Sequence, residues 1–188
     1  MDIVGLSAKQ LIEKLKSGEL SSLDLCKAYI ERIKKFEKDV HAWAHFDEKI
    51  LLEKAEESDN HRKSGKPLGL LHGIPVALKD IIGTIDMPTE CGTVLRKGIS
   101  AFQDAEIVDL LKSEGAIIMG KTNTTELAYF SPSKTRNPHD YTRTPGGSSS
   151  GSAAAVASYM APLSIGSQTN GSIIRLRRRR CTNQNRPG

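Results

Sequence analysis

PGGSSSGSAAAVA, at residues 145–157, joins a turn of proline, glycine and serine directly to a run of small apolar residues. Glycine and serine alone are typical of a flexible linker or of a loop that binds phosphate. A linker, however, has no reason to open a helix whose small side chains suit close packing. Within residues 145–157 there is neither GxxxxGKS/T nor a GxGxxG that follows a strand. We therefore interpret this segment as a loop that starts a closely packed helix.

Two further segments contain candidate catalytic residues, GSQTNGSI at residues 166–173 and GIPVALKD at residues 73–80. Ser172 directly follows a glycine in a polar turn, where a hydroxyl can reach a substrate carbonyl while backbone N–H groups face the oxyanion. Lys79 directly follows an apolar strand, so we expect it to be buried. Burial disfavours the ammonium form and can make a lysine a neutral base. Taken alone, neither feature excludes the ordinary alternatives, a common Gly-Ser turn and a surface lysine at the end of a strand.

The regions around these segments predict an α/β fold. The N-terminal part shows helical periodicity, and Ser7 with Gln10 forms a capping pattern for the first helix. Farther along, strands predicted at 74–78 and 116–119 flank a helix predicted at 104–114, and residues 120–123 are predicted as a loop. Such strand–helix–strand alternation is typical of a sheet covered by helices.

Composition and patterning exclude several classes of protein. Hydrophobic residues make up 38% and charged residues 26% of the 188, which is typical of a globular protein. No run of about 18 apolar residues predicts a membrane-spanning helix, and the N-terminus lacks the pattern of a secretory signal. We therefore expect a cytoplasmic protein that does not bind a membrane. The three cysteines, Cys26, Cys91 and Cys181, lack the spacing of metal ligands, so we predict no metal site.

The positive charge of the chain is confined to its last residues. Residues 175–188 contain six arginines and no acidic residue, so leaving them out changes the net charge from +5 to −1. The remaining residues, 1–174, carry no excess of basic side chains. We therefore predict that this part does not bind nucleic acid.

Together, the three segments resemble the amidase-signature family of serine hydrolases. Ser172 lies 24 residues after Ser148, and Lys79 lies 69 residues before Ser148, which are spacings similar to those of the family. KTNTTELA at 121–128 and TRNPHD at 135–140 also resemble family segments. The resemblance covers nearly all of residues 1–175. It implies N-terminal helices followed by part of an α/β/α layered domain with a mixed sheet.

The resemblance also implies a catalytic triad of two serines and a lysine. Ser172 would be the nucleophile, Lys79 the base, and Ser148 the relay that passes the proton between them. The peptide bond between Gly147 and Ser148 would be cis. Ser149 would support the loop of residues 169–171 through hydrogen bonds. The implied reaction is hydrolysis of a small-molecule amide through an acyl-enzyme.

The oxyanion hole implied by the resemblance consists of the backbone N–H groups of Thr169, Asn170 and Gly171. The family usually has glycine in place of Asn170. Asparagine tolerates left-handed backbone geometry better than most residues, so we expect the hole to be retained. The resemblance implies no cofactor, and it is compatible with a homodimer in a full-length form.

The resemblance ends after Ile174. We expect residues 1–175 to be the N-terminal portion of an amidase-signature domain that is truncated soon after the nucleophile, and residues 176–188 to be a basic, unstructured tail. Two alternatives follow. The chain could be a non-catalytic fragment or pseudoenzyme, or it could derive from the glutaminase subunit of a tRNA-dependent amidotransferase. Gln168 and Asn170 replace the Asp and Gly typical of that subunit, which favours a free-standing amidase.

Overall fold

A computed structural model describes residues 3–174 and 176 of the chain. This part contains five α-helices and four β-strands, together with short 3-10 turns at Ile3–Gly5, Val94–Arg96 and Glu126–Ala128. In chain order the elements are α1 (Ala8–Ser17), α2 (Ser22–Val40), β1 (Trp43–Phe46), α3 (Glu48–Lys63), β2 (Pro75–Lys79), α4 (Glu106–Ser113), β3 (Ile117–Thr122), α5 (Ser150–Ala157) and β4 (Leu163–Ile165). The predicted α/β class is confirmed.

The first helix begins and ends where its sequence predicts. The Ser7 hydroxyl accepts a hydrogen bond from the Gln10 backbone N–H at 3.4 Å, and the Gln10 side chain accepts one from the Ser7 backbone N–H at 2.9 Å. Gly18 then ends the helix in the left-handed conformation, with φ of 79°. These paired bonds satisfy N–H groups that the first turn of a helix leaves without partners.

The four strands form one mixed sheet in the order β1-β3-β2-β4. Strand β1 runs antiparallel to β3, whereas β2 is parallel to both of its neighbours, β3 and β4. Helix α5 packs on β2, β3 and β4, and helices α3 and α4 pack on β3. Every residue of β2 and β3 is buried, which explains why their apolar residues form continuous runs instead of alternating with polar ones.

Strand β3 is longer than its sequence predicts. The prediction of a loop at residues 120–123 is wrong for the first three of them, because β3 continues to Thr122 and pairs with both β1 and β2. Gly120 lies so close to β1 that an added Cβ would be 2.6 Å from the carbonyl oxygen of His45. The polar residues Lys121 and Thr122 indicated a surface loop, but both are completely buried and hydrogen-bonded within the protein.

Helix α5 explains the small residues that follow the glycine–serine turn. Gly151 lies very close to the backbone just before β1 and just after β3. An added Cβ would be 2.2 Å from the Ala42 carbonyl oxygen and 2.4 Å from the Asn123 nitrogen. A larger residue would push the helix off the sheet. Close packing of α5 therefore fixes the position of the loop that precedes it.

The boundary predicted at residue 176 falls at the end of the described part. Leu176, the first residue of the predicted tail, is buried and belongs to the main hydrophobic core. Residues 177–188 lie outside the described residues. The division of the chain at that point therefore stays a prediction.

Candidate active site

The ends of the parallel strands bring the candidate residues together. Lys79 is the last residue of β2, and Ser167 follows the end of the neighbouring strand β4. The Lys79 Nζ lies 2.6 Å from the Ser148 Oγ, 3.0 Å from the Ser167 Oγ and 3.5 Å from the Ser167 carbonyl oxygen. The carboxyl ends of strands in α/β sheets are the usual place for ligand sites, because loops from several strands meet there.

Among the residues that the structure describes, the buried Lys79 ammonium group has no carboxylate partner. Lys79 is 0% exposed, and burial lowers its pKa from the ordinary 10.5 to about 8. The groups within hydrogen-bond distance of its Nζ are two hydroxyls and a carbonyl, and no carboxylate of the described residues contributes to the pKa shift. At a pH near 8 about half of such a lysine is neutral and able to accept a proton.

Ser148 is held by the backbone on both sides. Its peptide bond with Gly147 is cis, as the resemblance implies. Its carbonyl oxygen accepts hydrogen bonds from the Thr124 hydroxyl and from the Thr125 backbone N–H, each at 3.1 Å. Because the residue is also nearly buried, its hydroxyl has a fixed position beside Lys79.

Ser172 lies in a turn that the Gln168 side chain closes. The Gln168 Oε1 accepts hydrogen bonds from the backbone N–H groups of Ile173 at 3.1 Å and Ile174 at 2.9 Å. The Ser149 backbone N–H donates to the Ser172 carbonyl at 3.4 Å. Within the described part of the chain, no hydrogen bond joins the hydroxyl of Ser172 to that of Ser148. The structure therefore brings Lys79 and Ser148 into direct contact. Ser172 and Ser148 line one pocket.

The remaining predicted residues lie around the same pocket. It has a volume of about 430 Å³, and Thr169, Asn170 and Gly171 line it together with Ser148 and Ser172. The backbone N–H groups of Thr169, Asn170 and Gly171 form no hydrogen bond with the residues that the structure describes. Their role as an oxyanion hole stays a prediction. Asn170 does not have a positive φ, so asparagine is not strained where the family has glycine.

Ser149, at the start of α5, is hydrogen-bonded to Ser167, which follows β4. Its hydroxyl donates to the Ser167 carbonyl at 3.1 Å and lies 3.3 Å from the Ser167 nitrogen, whose N–H points to it. Ser149 opens α5, and Ser167 follows β4, so these bonds tie the start of the helix to the strand end. The supporting role that the resemblance implies for Ser149 stays a prediction, and these bonds show that its hydroxyl contacts Ser167.

Three residues of this site were not identified from the sequence. Ser167 contacts Lys79, Gln168 closes the turn at Ser172, and Thr125 holds the Ser148 carbonyl. A signal for Ser167 was available, because polar residues that follow adjacent parallel strands meet at one edge of a sheet. The contacts of Gln168 and Thr125 depend on loop conformations, for which the sequence contains no comparable signal.

Metal binding and membrane crossing are two further possibilities for any chain. Over residues 3–174 and 176, no group of three or more His, Cys, Asp or Glu side chains is arranged to hold a metal ion. None of the helices in that part is both long enough and apolar enough to cross a membrane.

The sequence profile of the family named Amidase matches residues 24–175. The chain belongs to this family. Among curated relatives, the glutamyl-tRNA(Gln) amidotransferase A subunit of Rhodococcus erythropolis (strain PR4 / NBRC 100887) is 43% identical over 179 residues, which cover 92% of this chain and 36% of that protein. Its counterpart from Leptospira interrogans serogroup Icterohaemorrhagiae serovar Lai (strain 56601) is 43% identical over 178 residues, with 92% and 37% covered.

Solved structures of the family have the same fold over this region. Peptide amidase from Stenotrophomonas maltophilia superposes with a TM-score of 0.85 and 36% identity, covering 90% of this chain and 37% of that one. Fatty acid amide hydrolase gives a TM-score of 0.85 and 31% identity, with 93% and 32% covered. The chain thus spans about a third of the length of the proteins that it matches.

Proposed function

We propose that the site hydrolyses a carboxylic amide through an acyl-enzyme, with Ser172 as nucleophile, Ser148 as relay and Lys79 as base. The observation that carries the proposal is the 2.6 Å contact between the Lys79 Nζ and the Ser148 Oγ, formed where no carboxylate opposes the lowered pKa of the lysine. A lysine that is neutral near pH 8 can take a proton from a hydroxyl, which an ammonium group cannot do.

The proton moves in two steps during acylation. Neutral Lys79 takes the proton of Ser148, and Ser148 takes the proton of Ser172 as the Ser172 oxygen bonds to the amide carbon. The protons then return along the same path to the nitrogen of the substrate, the carbon–nitrogen bond breaks, and the amine leaves. Water attacks the acyl-Ser172 ester in the same manner and releases the acid. Ser172 must approach Ser148 for this transfer, and hydrogen bonds in apo sites commonly tighten only when substrate binds.

The oxyanion formed in these steps would be bound by the backbone N–H groups of Thr169, Asn170 and Gly171. They line the same pocket as Ser172, and no protein acceptor of the described residues competes for them. Gly147 and Ser149 flank the relay serine in the chain, and Ser149 would support it through its hydrogen bond to Ser167.

A second candidate is the glutaminase function of an amidotransferase. The curated relatives cited above are glutamyl-tRNA(Gln) amidotransferase A subunits, which favours it. Gln168 and Asn170, in place of the Asp and Gly typical of that glutaminase, favour a free-standing amidase. Hydrolysis of simple amides without ammonia release from glutamine would support the amidase. The reverse preference would support the amidotransferase.

A third candidate is a fragment that keeps these residues without catalysing. One observation favours it: within the described residues, no hydrogen bond joins the Ser172 hydroxyl to that of Ser148, which contacts Lys79 instead. A cytoplasmic location, a small-molecule amide as substrate and a homodimer in a longer form remain predictions.

Labelling with a fluorophosphonate tests the nucleophile. We expect the probe to modify Ser172, as located by peptide mass spectrometry, and we expect Ser172→Ala to lose the label. Ser131→Ala is the control, because Ser131 is exposed and lies outside the pocket. Equal labelling of the Ser172→Ala variant would contradict the assignment of Ser172 as the nucleophile. A chain that is folded but never labelled would support the non-catalytic fragment.

A further inference from the structure

Part of the lining of the pocket that contains the two candidate serines is apolar. Leu127, Tyr129 and Phe130 line the pocket together with Gly147, Ser148 and Ser172. All three side chains are more than half exposed, with Tyr129 at 73% and Phe130 at 64%. The two aromatic rings contact each other edge to face, with 4.6 Å between their centroids. Exposed aromatic side chains beside a reactive group are a common feature of ligand pockets.

The aromatic wall has a defined position relative to Ser148. Thr125 connects the two, because its backbone N–H donates to the Ser148 carbonyl at 3.1 Å and its hydroxyl donates to the Tyr129 carbonyl at 2.7 Å. The Leu127 backbone N–H donates to the Cys91 carbonyl at 2.8 Å. The aromatic residues therefore belong to a hydrogen-bonded turn that also holds the relay serine.

The side chains that line the pocket, among the residues that the structure describes, are uncharged. Glutamine has an ammonium group and a carboxylate close to its side-chain amide, and removing such charges from water is costly unless each is paired. An uncharged apolar group loses nothing of this kind, and it gains contact with the aromatic rings.

We propose that the pocket binds amides whose acyl group is uncharged and apolar, with aromatic groups preferred, and that Tyr129 and Phe130 determine this specificity. This inference rests on the proposed function, since it assumes that the amide binds beside Ser148 and Ser172. It adds the class of substrate, and it separates this chain from an enzyme that uses glutamine.

The test is binding to the whole 188-residue chain, measured by ligand-observed NMR with phenylacetamide, acetamide and glutamine. Phenylacetamide is expected to bind more tightly than either of the others by on the order of tenfold. Tyr129→Ala combined with Phe130→Ala should remove this preference, because the apolar contact is lost while the polar part of the pocket remains. Phe130→Leu, which keeps an apolar side chain, should retain part of it.

Val94→Ala with Leu95→Ala is the matched control. These two residues are also apolar and highly exposed, at 84% and 83%, but they do not line the pocket. Their replacement should leave the preference for phenylacetamide unchanged. Both pairs of substitutions lie outside the buried core, so thermal unfolding should show folded variants in each case.

Three results would overturn the inference: glutamine binding at least as tightly as phenylacetamide, no preference among the three amides, or a preference that survives loss of both aromatic rings. Binding should persist in Ser172→Ala, because the aromatic wall does not depend on the nucleophile. A chain that binds phenylacetamide in this way but is never labelled at Ser172 contradicts the proposed function alone. A chain that is labelled at Ser172 without the binding preference contradicts only the specificity.

Discussion

Two completely buried lysines lie on neighbouring strands of the sheet and differ in what surrounds them. Lys79 ends β2, and Lys121 lies one register position away on β3, where it pairs with Leu78. Because successive side chains of a strand point to opposite faces, the two ammonium groups lie on opposite sides of the sheet. Lys79 contacts Ser148 and Ser167, whereas the Lys121 Nζ lies 2.6 Å from the Ile82 carbonyl oxygen, 2.8 Å from the Thr89 hydroxyl and 3.9 Å from an Asp80 carboxylate oxygen.

Burial alone therefore does not make a lysine a base. Burial lowers the pKa of both lysines, but the Asp80 carboxylate acts against this shift at Lys121. Asp80 in turn has a pKa that burial raises, while Lys121 and the backbone N–H groups of Glu90 and Gly92 act to lower it. Lys121 is thus part of a paired structural site. Among the described residues Lys79 has neutral partners, two hydroxyls and a carbonyl, which leaves it able to give up and accept a proton.

The largest effect that we expect is on the reactivity of Ser172 when Lys79 is replaced. Lys79→Met removes the base, so the rate constant for fluorophosphonate labelling should fall by roughly 10²–10⁴-fold. In the unchanged protein this rate should rise with pH through about 8, because only the neutral lysine accepts the proton. Labelling at a series of pH values, with peptide mass spectrometry for the site, measures both effects.

Lys63→Met is the control for this experiment, because Lys63 is exposed at the end of α3. It should leave the rate and its pH dependence unchanged. Full reactivity in Lys79→Met would remove the functional difference between the two buried lysines.

For Lys121 we expect a smaller effect, and we expect it on the stability of the fold instead of on the reactivity of Ser172. Lys121→Met leaves the Asp80 carboxylate buried without a cation, so the free energy of unfolding should fall by about 3 kcal/mol. Asp80 keeps its backbone donors, which places the loss near the lower end of the usual range. Urea unfolding of the variant measures it. Adding Asp80→Asn to Lys121→Met should recover much of the loss, because the unpaired charge is then gone, and a double variant no more stable than the single one would argue against the pairing.

The two lysines also show how far the sequence predicts this protein. The capping residues of α1, the α/β class and the burial of Lys79 after an apolar strand followed from local patterns. Lys121 did not, because a Gly-Lys-Thr run after a short apolar strand has the composition of a loop. Its burial depends on Asp80, Thr89 and Ile82, which are 32 or more positions away in the chain. Local patterns do not contain such long-range pairings.

The site was predictable to a similar degree. The resemblance names Lys79, Ser148 and Ser172, and in the structure the two serines line one pocket while Lys79 contacts Ser148. Ser167 and the aromatic wall at Tyr129 and Phe130 were not identified, since each becomes part of the site only through the meeting of strand ends and a turn. Their roles follow from proximity in space, which residue types and spacing do not reveal.

The smallest effect that we expect is a change in the free energy of unfolding when Lys79 is replaced. Lys79→Met should raise this free energy, whereas Lys121→Met should lower it. A pKa lowered from 10.5 to about 8 corresponds to about 3 kcal/mol by which the folded state is destabilised at neutral pH. Lys79→Met removes this cost but leaves the hydroxyls of Ser148 and Ser167 without their partner, which costs roughly 1–2 kcal/mol. We therefore expect the variant to be more stable than the unchanged protein by about 1–2 kcal/mol at pH 7.

The pH dependence identifies the origin of that gain. Since the pKa of Lys79 is lower in the folded than in the unfolded chain, the unfolded chain binds more protons between pH 8 and 10.5, and the stability of the unchanged protein rises with pH over this window. Lys79→Met lacks this rise, so its advantage should shrink across the window and vanish or reverse above it. Urea unfolding at pH 7 and at pH 10, with Lys63→Met as the exposed control, measures the difference. A Lys79→Met variant that is less stable at pH 7, or whose advantage is the same at both pH values, would mean that burial does not lower the pKa of Lys79.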